Sequence, residues 1–172
     1  SIVISSSTQG PTAVQKMVLV SGRLAKNLGA LGMYKKAGNQ IQSALNLTDS
    51  MSVDYGDLLE ESARLHSAAN NHSEAIADLK KAISLRKSLL KSAKDAPLRA
   101  LRTTQSFGTI VELAEAFNRW NKPDSAYKYL DQIPRNPKNI APQLMAKVWI
   151  AFAHQHALKG EETPAWESVE TA

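Results

Sequence analysis

Four times along this chain, two alanines stand twelve residues apart with a glycine or asparagine at the same place between them. The pairs are Ala25 and Ala37 around Gly32, Ala63 and Ala75 around Asn70, Ala114 and Ala126 around Asn121, and Ala153 and Ala165 around Gly160. The apolar residues that follow each second alanine recur as well. Ile41, Ala44, Leu45 and Leu47 align with Leu79, Ala82, Ile83 and Leu85, then with Leu130 and Ile133. A small residue on each of two helices lets their backbones approach closely, and a residue tolerant of positive φ turns the corner between them. One such hairpin cannot bury its own apolar face, so successive hairpins must stack. The pattern therefore predicts an all-α solenoid of antiparallel helix hairpins.

The rest of the sequence agrees with helices. No sustained period-two alternation marks a strand, and Ala, Leu, Lys, Ser and Glu dominate. Pro11, Pro97, Pro123, Pro142 and Pro164 sit where helices can start, since a first turn tolerates a missing N–H. Periodicity and capping signals predict helices over 11–29, 34–47, 54–69, 73–93, 97–119, 123–132, 141–158 and 164–171. Repeat units fall at 18–50, 56–95, 97–138 and 141–172, in a single domain over 11–172. Residues 1–10 read as a flexible segment, and a start at Ser1 rather than Met as a processed or excised chain.

Composition narrows the function classes. None of the 172 residues is Cys, so disulfide, thiolate-zinc, iron–sulfur and Cys-nucleophile chemistry are excluded. No apolar run of about 18 residues is present to span a membrane. The compartment stays open, cytoplasmic and extracytoplasmic locations both being compatible with this composition.

Candidate chemical motifs dissolve on inspection. His154 and His156 are two apart, and on a helix such neighbours point to different sides and do not share an ion. His66 and His72, six apart, share no face either. Gly29, Gly32 and Gly38 lack the strand and the Gly-Lys-Ser/Thr of a phosphate loop. Glu60-Glu61 and Glu161-Glu162 are adjacent rather than facing carboxylates, and no Ser sits in a nucleophile elbow. Two Asn-x-Ser/Thr tripeptides, at Asn46 and Asn71, are too short to weigh as modification sites. We expect no enzyme activity, no cofactor and no metal.

Charge alternates in blocks. Residues 1–48 carry +5, 49–82 carry −4, 83–105 carry +5, and the last twelve carry −4. The basic stretch from Arg86 to Arg102 lacks interleaved aromatics for base stacking, which argues against nucleic acid. It reads instead as a solvated helix face.

The repeating unit resembles the tetratricopeptide repeat (TPR). Leu24, Ala25, Leu28, Gly32, Tyr34, Ala37, Ile41, Ala44, Leu45 and Leu47 carry the resemblance in the first unit, and it extends over about residues 18–172. The unit also departs from the pattern: the usual Pro after each second helix is missing apart from the nearby Pro137. The spacings of 38, 51 and 39 exceed the usual period, and the 51 requires long helices around Asp95-Ala96-Pro97. His66 and His156 stand where a core residue is usual. Long helices of this kind are similar to repeats in bacterial signalling proteins and in kinesin-light-chain-like arrays.

The resemblance implies a right-handed superhelix whose concave face is lined by the first helix of each unit and binds a partner peptide or helix. Register carries the groove positions to Lys26, Arg64, Glu115, Asn118, Arg119, Lys147 and His154, with Glu60 one turn before Arg64 and able to pair with it. The acids Asp57, Glu60 and Glu61 argue against a clamp for a chain-terminal carboxylate. Two functions follow: an interaction scaffold, or the sensory or regulatory segment of a larger signalling protein, a bacterial one included. Val14, Met17, Val18 and Leu19 at the start also suit end-on self-association, and the last helix, with Trp166 and Val169 among four Glu, suits an amphipathic cap.

Overall fold

A computed structural model describes residues 12–134 and 141–162, together with Pro164 and Glu167. Its helices with both ends among these residues are α1 (Ala13–Ala30), α2 (Tyr34–Leu47), α3 (Val53–Ala68), α4 (His72–Lys91), α5 (Ala96–Arg119), α6 (Pro123–Leu130) and α7 (Pro142–Leu158). No strand occurs among the described residues. The last expected helix falls mostly outside them, with Pro164 and Glu167 helical. The proposed N-terminal segment, Trp166 and Val169 also lie outside.

Local signals account for the helix ends. The Thr12 hydroxyl accepts from the Gln15 N–H while the Gln15 side chain accepts from the Thr12 N–H, a reciprocal cap. Ser52 and Asp95 cap α3 and α5 by accepting from the Tyr55 and Leu98 amides. Pro97, Pro123 and Pro142 fall in first turns.

The four expected corners are all present. Gly32, Asn70, Asn121 and Gly160 have φ of 73°, 60°, 55° and 73°. Each donates its N–H to the residue three back, and the next residue donates to the residue five back. At the first corner these are Gly32 to Gly29 at 2.9 Å and Met33 to Leu28 at 2.8 Å, and the same pair of bonds recurs at the other three. This double closure satisfies carbonyls that the helix end would otherwise leave bare.

The paired alanines of the first three hairpins are buried between their helices, and Ala165 lies outside the described residues. Ala25, Ala37, Ala63, Ala75, Ala114 and Ala126 are essentially inaccessible to solvent. Between α1 and α3, a Cβ on Gly29 would force the tip of the Leu65 side chain to shift. The long spacing between the second and third units is taken up by α4 and α5, of 20 and 24 residues.

Packing then defines a curve. Each of α1, α3 and α5 touches the next first helix in the series, ending at α7, whereas α2, α4 and α6 make no contact with one another. A stack in contact along one row and spread along the other bends toward the contacting row. The first helices therefore line the concave face of an all-α solenoid. One core runs from α3 to α7 around Leu113, Leu130 and Phe152, and a smaller one joins α1, α2 and α3 around Ile41.

The corners give a direct test. A β-branched side chain at positive φ is strained, by about 1–2 kcal/mol. Asn70→Val should lower unfolding free energy by that amount in urea titrations while Asn70→Gly leaves it nearly unchanged. Equal effects of both would contradict a left-handed corner at this position.

Candidate functional site

The concave row carries two cavities. One, of about 510 Å³, lies between α1 and α3 and is lined by Val18, Leu19, Gly22 and Leu58 with Arg23, Lys26, Asp54, Asp57 and Glu61. The other, of about 240 Å³, lies among α3, α4, α5 and α7 and includes Asp57, Glu60, Arg64, Arg86, Glu112 and Lys147. Asp57 lines both, so the two are neighbours along the groove.

Arg86 organises the deeper cavity. It belongs to α4, a second helix, yet its guanidinium reaches the concave row and is only 2% exposed. The spacing Leu79, Ala82, Ile83, Arg86 places it on the buried face of α4. It fits because residue 56 is glycine: a Cβ there would sit 3.1 Å from the guanidinium carbon. Arg86 Nη2 donates to Asp57 and, at 3.2 Å, to Glu60 Oε1. The Thr109 hydroxyl of α5 donates to the same Glu60 oxygen at 2.6 Å. One polar node thus ties α3, α4 and α5 together, while Arg86 Nε and Nη1 are buried without a hydrogen-bond partner.

A second node lies one turn along. Arg64 bonds Glu61 at 3.1 Å and Glu112 of α5 at 3.4 Å. Burial pulls the Arg64 and Arg86 pKa values down, but the neighbouring carboxylates more than compensate and both end above the ordinary guanidinium value. Stability from a group so raised is fully present below its unfolded value and is lost only as pH climbs through the folded one. Both arginines therefore stay charged through the neutral range.

The structure sorts the residues proposed from sequence. Lys26 is exposed in the α1–α3 cavity, and Arg64 and Lys147 line the deeper one. Glu115 and His154 face each other across α5 and α7 at 3.1 Å. Glu60 pairs with Arg86 rather than with Arg64, because Arg64 turns toward Glu61 and Glu112. Asn118 does not face the groove: it is 2% exposed and donates to the Ala151 carbonyl at 3.2 Å, holding α5 to α7. Arg119 is exposed at the end of α5 and lines neither cavity.

The histidines have separate partners. His156 lies 2.6 Å from Glu161 and stacks on Phe152, at the turn rather than in the hairpin core. His66 lies 3.8 Å from Asp78 and is partly exposed, so it too is not a core residue. Arg86 also overturns the reading of 83–105 as wholly solvated. No described helix is long and apolar enough to cross a membrane.

Removing one member of a buried ion cluster strands the others. Arg86→Met should cost about 3 kcal/mol in urea unfolding. Glu60→Gln added to Arg86→Met should recover part of that loss by removing the orphaned charge. If Arg86→Met is neutral, the node does not hold these helices.

No family model matches the sequence, and no curated protein does. Among solved structures, BtubC (BKLC) from P. vanneervenii superposes with a TM-score of 0.63 at 12% identity, covering 95% of this chain and 64% of BtubC. The chain thus spans somewhat less than two thirds of that protein's length. A putative kinesin light chain with nearly identical TPR-like repeats from Podosopora anserina aligns at 14% identity and a TM-score of 0.42, covering 90% of this chain and 92% of that one. The helix-pair register, the four left-handed corners and the superposition on BtubC together identify the chain as a TPR-like helical repeat fold.

Proposed function

We propose that this chain is a non-catalytic interaction scaffold that holds a peptide or helix of a partner protein against α1, α3, α5 and α7. One observation carries the reading: the concave row contains two neighbouring cavities with Lys26 and Lys147 on their walls, and neither lysine has an ion-pair partner among the described residues. A solenoid that presents rigid helices along a groove suits extended or helical guests, since little ordering entropy is lost on its own side.

The acids of the groove are largely spent on the chain's own arginines. Glu60 is committed to Arg86, and Glu61 and Glu112 to Arg64. The unpaired groups Arg23, Lys26, Asp54 and Lys147 remain to choose the guest.

Photo-crosslinking side chains placed at Lys26 and Lys147 should capture the same partner protein from cells producing the full chain. Placed at Gln42 on α2 and Lys81 on α4, both exposed, they should not. Capture from α2 and α4 alone would refute groove binding.

A further inference from the structure

The cleft between α1 and α3 has an unusual electrostatic arrangement. Its α1 wall carries Arg23 and Lys26, and its α3 wall carries Asp54, Asp57 and Glu61. Opposite charges face each other, yet among the described residues no ion pair crosses from α1 to α3. Arg23, Lys26 and Asp54 are exposed, and Asp57, though bonded to Arg86, keeps 60% of its side chain open. Between the walls runs an apolar floor of Val18, Leu19, Gly22 and Leu58. At about 510 Å³ the cleft lies within the range of roughly 300–1,000 Å³ typical of binding sites.

Gly22 widens the floor of this cleft. Glycine inside a helix is destabilising relative to alanine. A Cβ on Gly29 or Gly56 would press on the side chain of Leu65 or Arg86, whereas Gly22, Gly38 and Gly108 have room for one. At Gly22 the nearest atom to a Cβ is Leu58 Cδ2 at 3.8 Å, ordinary contact distance. Gly22 lines the cleft between α1 and α3, and the space it leaves beside Leu58 opens onto the cleft floor.

Resting on the groove reading above, we infer that this cleft takes a dipolar segment of a partner protein: an apolar side chain over Gly22, flanked by a carboxylate toward Arg23 and Lys26 and a cation toward Asp54 and Asp57. An all-acidic guest would meet the α3 acids, and an all-basic one the α1 cations. Each mismatch brings like charges together in a partly desolvated cleft, so the charge walls reject as well as attract.

The test uses the full chain and an array of acetylated, amidated octapeptides with a Leu-Leu centre. Flanks are both Glu, both Lys, both Ser, Glu then Lys, or Lys then Glu. One mixed order should bind at least about tenfold more tightly than the all-Glu, all-Lys and Ser peptides. Gly22→Ala, whose methyl the fold accommodates, should keep the fold and weaken binding of the preferred peptide, because that methyl takes part of the guest's space. Gly22→Leu, checked for retained helicity and cooperative unfolding, should abolish binding. The surface variant Arg23→Glu with Lys26→Glu, which disturbs no packing, should shift preference from the mixed to the all-Lys peptide. Equal binding of all five flanks, or a mixed preference untouched by Gly22→Leu and by the double charge reversal, would overturn the inference. If crosslinks from Lys26 and Lys147 still capture a partner in that event, groove binding survives and only the dipolar cleft falls. If those crosslinks also fail, both readings fall.

Discussion

The close crossing inside each hairpin is the constraint on which the rest of this structure depends. Alanine on both helices lets the backbones approach, and a left-handed residue returns the chain within a few residues. Any bulkier pair would widen the hairpin and shift the first helices relative to one another. Because the geometry repeats, the first helices fall into contact and the second helices spread. Curvature, and with it the groove, is a consequence of residues that touch no ligand.

Arg86 supplies a second, more specific restraint. Desolvating a guanidinium is costly, and two carboxylates with a supporting hydroxyl offset that cost here. The node fixes how α4 stands behind α3 and α5, the place where the repeat spacing is longest. It also changes the groove's charge. A sequence count of four acids on α3 suggests a strongly negative wall, but Glu60 and Glu61 are committed to arginines and Asp57 is shared with Arg86. What remains on offer is a wall of each sign.

Much of this was legible in the sequence, and the exceptions have physical causes. The four corners and their alanines follow from local stereochemistry, so spacing alone located them. Of the residues that follow the crossing alanines, Lys26 and Arg64 line the two cavities, and Glu115 meets His154 between α5 and α7. Asn118 was misplaced although it lies one turn after Ala114, on the same buried face; its polarity concealed a bond to the Ala151 carbonyl. Glu60 and Arg64 have the spacing of an ion pair, but tertiary partners on α4 and α5 outcompeted the local one. Arg86 was hidden inside a basic run, where its place on the apolar face of α4 was the overlooked signal. Pairings between helices distant in sequence carry no local signature, and these account for most of the differences.

The account's central claim is that recognition happens on the contacting row of helices. Amide hydrogen exchange of the full chain, measured with and without its captured partner, tests this most directly. Slowed exchange concentrated in Ala13–Ala30, Val53–Ala68, Ala96–Arg119 and Pro142–Leu158 is the predicted result. Protection confined to Tyr34–Leu47, His72–Lys91 and Pro123–Leu130 would contradict it.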